Sequence, residues 1–287
     1  MTTLDIVIPA HEKDFAVLEH AVRGVLRYVQ PFGRICVVSK QRFDWQGGPV
    51  EWVPEPSNSV LPSLEQVRAR WSAEHGDASR AGWIYQQILK LGAGTYIDGL
   101  SPSYLVIDSD VIFLRSVYLA PEDGARFPYS VAFEYHEPYR EAYQRLVGEY
   151  PTTGYSLTAH HMVYDRALLS ELMREIEQRH EKSWPEAYLD VVDYQQGSSI
   201  SEMDVYGWWV LDRHPELATR RQLVWRDTHV VPGALGRAML ARDCHFAAAH
   251  AWMRQPRWLR FSSAAVQLMR EVRADLAWRR ACGPFTR

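Results

Sequence analysis

The stretch Tyr104-Leu-Val-Ile-Asp-Ser-Asp-Val-Ile-Phe-Leu-Arg115 constrains this chain most, because it sets two carboxylates one residue apart at the end of an apolar run. Leu105 to Ile107 read as a strand buried on both faces, the environment of a parallel sheet covered by helices. Asp108 and Asp110 follow where that strand leaves the core, and ligands of open α/β sheets bind beyond the carboxyl ends of the strands. Two like charges at that spacing repel each other. A cation that prefers carboxylate oxygen, Mg²⁺ or Mn²⁺, is the simplest way to keep both ionised near neutral pH. The pair is therefore a candidate metal site for a phosphorylated ligand. A strand-ending turn with two solvated aspartates explains the Asp-x-Asp pattern equally well on its own.

What precedes this stretch supplies the rest of a sheet. Leu4 to Pro9 is a β-branched strand, Asp14 is an N-cap candidate, and Leu18, Val22, Val25 and Val29 repeat at helical steps. Arg34 to Ser39 is the next strand, so the three elements form a βαβ unit with parallel strands. The loop after Pro9 and the residues near Ser39 then share a rim with Asp108. Asp44 to Ser63 is rich in Gly, Pro, Asn and Ser and reads as loop, with a short strand at Val50 to Val53. Ser63 and Gln66 have the form of a capping box for a helix from Leu64 to about Trp71. On the helix from about Ala81 to Leu91, Trp83, Gln86, Gln87 and Lys90 project to one face. That face suits a phosphorylated ligand, and it equally suits the wet side of an amphipathic helix.

Beyond Arg115 the pattern predicts a strand over Ser130 to Phe133, a helix from Pro138 to about Gly148, and a short strand from Ala159 to Tyr164. His160 and His161 point to opposite faces of that strand, so at most one meets the crevice. Asp165 caps a helix with Leu168, Leu169, Leu172, Met173 and Ile176 on its stripe, and Trp184-Pro185 opens another. Ser201 caps the helix of Glu202, Asp204, Trp208 and Trp209, with Asp204 in capping-box position; helix-dipole and capping effects alone account for both carboxylates. Strands are expected near Leu223 to Trp225 and Cys244 to Phe246. A last helix carries Ala265, Met269, Val272 and Leu276.

The chain has 287 residues, enough for one large α/β domain, and a formal charge of -3 gives no reason to expect nucleic acid as a partner. From Arg254 onward eight arginines face Glu271 and Asp275. This basic C-terminal helix is either a solvated face or a peripheral membrane contact. Three scattered cysteines exclude a complete disulfide framework and a Cys-x-x-Cys zinc site. No secretory leader or membrane-length apolar run is visible, so the expected location is the cytoplasm.

The ordered set Ile-Val-Ile-Pro-Ala-His-Glu-Lys-Asp, Tyr-Gln-Gln-Ile-Leu-Lys-Leu, Tyr-Leu-Val-Ile-Asp-Ser-Asp, His-His-Met-Val-Tyr-Asp-Arg and Ser-Glu-Met-Asp-Val-Tyr-Gly resembles a bacterial group of glycosyltransferase-like proteins of unassigned substrate, placed among the A-type (GT-A) nucleotide-sugar transferases. The resemblance runs from Leu4 to about His250. It implies a single GT-A-like α/β/α sandwich with a mixed, mostly parallel sheet and a C-terminal helical extension. Residues 1–115 would form the nucleotide-binding half, 116–260 the acceptor-binding half and 261–287 the basic helix. The implied partners are a nucleotide-sugar donor, UDP-linked by expectation, and a carbohydrate or other hydroxyl acceptor, with Mn²⁺ or Mg²⁺ as cofactor. Asp108, Asp110 and His250 are the implied metal ligands, with His245 a rival. Pro9, Ala10, His11, Ser39, Gln87, Lys90, Asp108, Ser109 and Arg254 are the implied donor contacts. Lys90 matches in position a lysine of glycogenin-like transferases, and His250 matches a late histidine followed there by Lys-Pro-Trp. Here arginine replaces that lysine and the glycine of the element is absent, which leaves Arg254 and Arg257 as alternatives.

Transfer from a nucleoside diphosphate builds negative charge on the leaving diphosphate, which a cation and nearby Lys or Arg would stabilise. An inverting enzyme also needs a carboxylate to accept the acceptor's proton. Glu202 and Asp204 are the candidates, separated by about 200° around their helix. His160, His161 and Trp208 are expected on the acceptor side, with Trp209 and Trp252 as further stacking candidates. Two other classes remain open. One is an Asp-x-Asp phosphatase of the haloacid dehalogenase type, although that motif belongs there on the first strand. The other is a protein of this fold that binds nucleotide or sugar without turnover.

Overall fold

The computed structural model describes residues 3–74, 78–120, 127–132, 134–251 and 253. The expectations for Phe133, Trp252, Arg254, Arg257 and the helix over 261–287 lie outside the described residues. Strand β1 (Leu4–Pro9) leads through helix α1 (Phe15–Tyr28) and the short β2 (Val29–Gln30) to β3 (Phe32–Ser39). The chain continues through β4 (Val50–Pro54), α2 (Leu64–Ala73), α3 (Ala81–Tyr96), β5 (Ser103–Ile107), β6 (Val111–Phe113) and β7 (Val117–Tyr118). Then come β8 (Phe127–Ser130), α4 (Glu137–Val147), β9 (His161–Asp165), α5 (Arg166–His180), α6 (Trp184–Asp190) and α7 (Glu202–Arg213). β10 (Ala218–Arg221), β11 (Trp225–Asp227), α8 (Ala234–Leu240) and β12 (Phe246–Ala248) close the described chain.

The central sheet has the order β4-β3-β1-β5-β9. Its first four strands are parallel and β9 is antiparallel, so the fold is α/β with a mixed, mostly parallel sheet. Every residue of β1 and β5 is buried, which is why residues 6–8 and 104–107 read as apolar runs. One apolar core runs from Leu4 to Ala248, joining the regions on both sides of Arg115. No helix among the described residues is long and apolar enough to cross a membrane.

Local signals explain most boundaries. The capping box of Ser63 and Gln66 is formed in both directions, and the Asp165 carboxylate accepts from the amides of Ala167 and Leu168. Helix α4 ends at Gly148 with φ 99°, the left-handed backbone that glycine adopts without a steric penalty. Asp14 differs from expectation and makes no side-chain cap; the His11 ring accepts from the Lys13 amide one turn earlier. The strands expected over 130–133, 223–225 and 244–246 lie instead at 127–130, 225–227 and 246–248. Those shifts follow from pairings that a linear pattern does not contain.

A second, three-stranded sheet in the order β11-β12-β6 builds one side of the crevice. It pairs Asp227 with Ala248 and Ala248 with Val111. Helix α1 lies so close to β6 that a side chain on Gly24 would meet the backbone of Phe113 at 2.8 Å. That contact fixes the strand that follows Asp110.

Candidate functional site

Register alone gathers the site. Val7 pairs with Val106 and Pro9 with Val38, so the ends of β1 and β3 share the rim from which Asp108 emerges. On the other flank Ile107 pairs with His161, and the Asp108 amide donates to the His160 carbonyl at 3.0 Å. The Ala249 amide donates to the Asp110 carbonyl at 3.0 Å, which sets His250 beside Asp110. Asp227, the last residue of β11, ends at the same level through its pairing with Ala248.

The two aspartates of the motif face different partners. Lys90, 1% exposed, donates from Nζ to Asp108 Oδ1 at 2.5 Å and to Glu202 Oε1 at 2.6 Å. Burial acts to lower the lysine's pKa, but the two carboxylates outweigh it and hold the ammonium charged. Burial likewise acts to raise Asp108, and Lys90 together with His160 holds it well below the usual carboxylate range. His160 Nδ1 lies 3.3 Å from Asp108 Oδ2. His250 Nδ1 lies 3.1 Å from Asp110 Oδ2, and its Nε2 is 3.6 Å from Asp227 Oδ1. Burial opposes a charge on His250, yet Asp110 and Asp227 raise it to about 10. Asp227 is lowered despite its burial, through His250 and His160.

The cluster is packed as well as charged. The His160 ring meets Trp225 and Phe246 edge-on and lies 4.8 Å from the His250 ring. Trp225 and Phe246 stack on each other at 5.5 Å, an aromatic wall behind His160. His160 has φ 63°, a left-handed conformation uncommon outside glycine and held here by its surroundings.

Several expected site residues are elsewhere. His161 is buried against Phe113 and Phe246, donates from Nδ1 to the Ala159 carbonyl, and pairs with Ser130 at 2.8 Å. Burial lowers its pKa to about 3, so it is a neutral core residue and offers an acceptor nothing. Trp208 is 2% exposed, beneath the Arg140 guanidinium and against the Tyr143 ring, with its indole N–H donating to the Tyr155 carbonyl. Trp209 is equally buried and donates to Glu175. Neither is a stacking platform.

The polar face drawn on α3 is not wet. Gln87 is fully buried, donating to the Ile200 carbonyl and accepting from the Tyr188 hydroxyl, so it pins the segment before α7 and leaves no atom for a donor. Asp204 accepts from the Leu157 amide and the Ser156 hydroxyl, not from the Ser201 amide of a capping box. Burial raises it to about 7. It shapes the chain before β9 and takes no part in the Lys90 cluster, whereas Glu202 on the same helix does.

On the rim, the Ser39 hydroxyl donates to the Gln41 carbonyl and the Ser39 carbonyl accepts from the Trp52 indole. Pro9 is buried, Ala10 and Ser109 are partly buried, and His11 is exposed beside Glu12. His245 lies at the far end of β12, where its ring accepts from the Val224 amide, so it is no rival to His250. Asp227 is a site residue that the sequence pattern does not reveal. Its signal is the spacing from Trp225, visible only once β11 is placed two residues later than expected.

These elements define an α/β protein whose parallel-strand rim carries an Asp-x-Asp pair flanked by one buried lysine and two histidines. The chain belongs to the family described as "Family of unknown function (DUF6492)", whose model it matches over residues 1–278. No curated protein matches the sequence. Among solved structures it is similar to apo mouse xyloside xylosyltransferase 1, at TM-score 0.42 and 12% identity over 88% of this chain and 99% of that one. It is also similar to the galactosyltransferase LgtC in complex with donor and acceptor sugar analogues, at TM-score 0.46 and 14% identity over 85% and 86%. Likeness at this level leaves a functional reading to rest on the chain's own residues.

Proposed function

We propose that this chain is a divalent-cation-dependent glycosyltransferase, moving a sugar from a nucleoside diphosphate sugar, UDP-linked in the first instance, to a hydroxyl acceptor. The observation that carries the reading is the Asp108-Ser-Asp110 pair at the carboxyl end of a parallel strand, with His250 against its second carboxylate. The residues present fit a divalent ion. Carboxylate and imidazole donors converge from four segments, and Asp110 Oδ1 and Asp227 Oδ1 are buried without a hydrogen-bond partner. When bound, such an ion supplies positive charge facing the diphosphate as its bond to the anomeric carbon breaks.

Lys90 is a positioning residue here. Buried behind Asp108, it holds that carboxylate ionised and aimed, and Glu202 holds the lysine in turn. The rim from Pro9 to His11 and at Ser39 is where the nucleoside would lie, on the parallel strands' carboxyl side. Glu202 is committed to Lys90 and Asp204 to residues 156 and 157. Transfer with retained anomeric configuration needs no base from α7, and we expect that course.

Calorimetry with UDP in the presence and absence of Mn²⁺, followed by a nucleotide-sugar panel read by proton NMR of the anomeric signal, tests this. Cation-dependent UDP binding with slow donor hydrolysis or transfer is expected. Binding without turnover would support a non-catalytic binder instead, and phosphate release from simple monoesters would support the phosphatase.

A further inference from the structure

The hydrogen bonds around the Asp-x-Asp pair carry more than a count of acidic groups. A carboxylate oxygen facing an imidazole nitrogen accepts, so His160 Nδ1 carries its proton toward Asp108 and His250 Nδ1 carries its proton toward Asp110. Both rings therefore direct Nε2 away from the motif, and both Nε2 atoms face one oxygen. His250 Nε2 lies 3.6 Å and His160 Nε2 4.0 Å from Asp227 Oδ1. The ligating atoms of His160, Asp227 and His250 all fall within 4.8 Å of one another. Donors on opposite sides of a transition-metal ion are at most about 4.2 Å apart, twice a bond of about 2.1 Å, so the two spacings to Asp227 fit around a single ion, and a pair at the 4.8 Å bound would close by about 0.6 Å on binding.

We propose that His160 Nε2, His250 Nε2 and Asp227 are the atoms that bind the cation, and that Asp108 and Asp110 stand behind the two imidazoles as outer carboxylates. This rests on the cation-dependent reading above and changes which residues touch the ion, which takes the place of the proton that His250 Nε2 holds toward Asp227 and releases it to solvent. Carboxylate, imidazole and metal in line is the arrangement that fixes a histidine's tautomer and strengthens its donor nitrogen. Three observations agree with it. Asp227 Oδ1 is buried without a hydrogen-bond partner. His160 is held at φ 63°, a conformation of the kind retained at ligand clamps. Trp225 and Phe246 give the His160 ring an apolar backing, and the His250 ring packs on His160 in turn at 4.8 Å.

The donor set has a consequence for the metal. Two imidazoles and one carboxylate suit Mn²⁺, Co²⁺ or Zn²⁺, whereas Mg²⁺ prefers an all-oxygen shell and keeps its waters. A shell supplied by the protein also binds its ion before any nucleotide arrives. The remaining coordination positions are left for diphosphate oxygens.

The test uses the full chain stripped with a chelator and titrated with Mn²⁺ and with Mg²⁺ in the absence of nucleotide, followed by manganese EPR and by Co²⁺ visible absorption. Wild type is expected to bind Mn²⁺ alone, more tightly than Mg²⁺, and to give a Co²⁺ spectrum of imidazole ligation. His160→Asn and Asp227→Asn should lose Mn²⁺ binding; asparagine suits position 160 because it tolerates left-handed backbone. Asp110→Asn should weaken binding by only about 10- to 100-fold, as outer carboxylates do. Circular dichroism melts of each variant confirm that the fold is kept. The inference is overturned if Asp110→Asn abolishes Mn²⁺ binding while His160→Asn and Asp227→Asn retain it, or if the Co²⁺ spectrum shows no nitrogen ligation. If wild type binds no divalent ion even with UDP, the proposed function fails with it.

Discussion

The two ends of the Asp-Ser-Asp motif share a strand and a rim but not an electrostatic design. At the Asp108 end the charges are closed: one ammonium sits between two carboxylates, with short hydrogen bonds to each, and is excluded from water. At the Asp110 end they are open. Two carboxylates share one imidazole, and Asp110 Oδ1 and Asp227 Oδ1 have no hydrogen-bond partner. A closed ion cluster is structural machinery, because taking any member away strands the others in a poor solvent. An open one is an arrangement still lacking positive charge. Adjacent aspartates of one motif can thus divide the work, with one anchoring the frame and the other orienting the imidazole that faces the ligand.

The largest effect that would break this comparison is expected at Lys90. Lys90→Met leaves Glu202 buried beside Asp108 with no cation, and should cost about 3 to 5 kcal/mol in urea unfolding. A loss below about 1 kcal/mol would mean that the ammonium is not what holds this end together.

Helix α7 repeats the contrast on a smaller scale, since Glu202 has Lys90 for a partner whereas Asp204 has hydrogen-bond donors but no cation. Burial raises Asp204 to about 7, above its ordinary 3.8. Its folded pKa is raised, so the stability it contributes is full below about pH 4 and is lost as pH climbs through 7. At about 1.4 kcal/mol for each pH unit between the unfolded and folded values, the fall is about 4 kcal/mol at most. Asp204→Asn, which cannot ionise, should gain on wild type in melting temperature from pH 5 to pH 8. A constant difference would show the carboxylate ionised throughout. Mn²⁺ sharpens the comparison from the open side: at about 100 times its Kd it should stabilise wild type by about 2.7 kcal/mol, and Asp227→Asn not at all.

The sequence disclosed the closed frame better than the open cluster. The strands Leu4–Pro9 and Ser103–Ile107 were legible because burial on both faces writes apolar runs at residues 6–8 and 104–107, and the caps at Ser63 and Asp165 because each depends on residues within one turn. Lys90 could be assigned to a face of α3, but its burial comes from Asp108 and Glu202, which are distant in sequence. The same holds for Gln87, which projects as a solvated amide and is consumed by Tyr188 and Ile200. Asp227 was illegible for a different reason. β11 is three residues long and partly exposed, so its limits come from pairing with β12 and not from its own pattern. Trp208 misled because α7 is buried on all sides from Glu202 to Val210, so its sequence gives no direction to any one aromatic.

The smallest expected effect tests the open end directly. In cation-free protein Asp110 Oδ2 accepts from His250 Nδ1, while Oδ1 is buried with no partner. Asp110→Asn keeps an acceptor oxygen for that Nδ1 proton and sets an amide N–H₂ where the unpaired oxygen lay. It gives up attraction to the imidazole and also removes repulsion from Asp227, which shares that ring. These effects oppose each other, so the chelator-treated variant should unfold in urea within about 1 kcal/mol of wild type, the scale of one exchanged hydrogen bond. Were the variant to lose as much stability as Lys90→Met, Asp110 would belong to the frame, and the division of labour between the two aspartates would have to be given up.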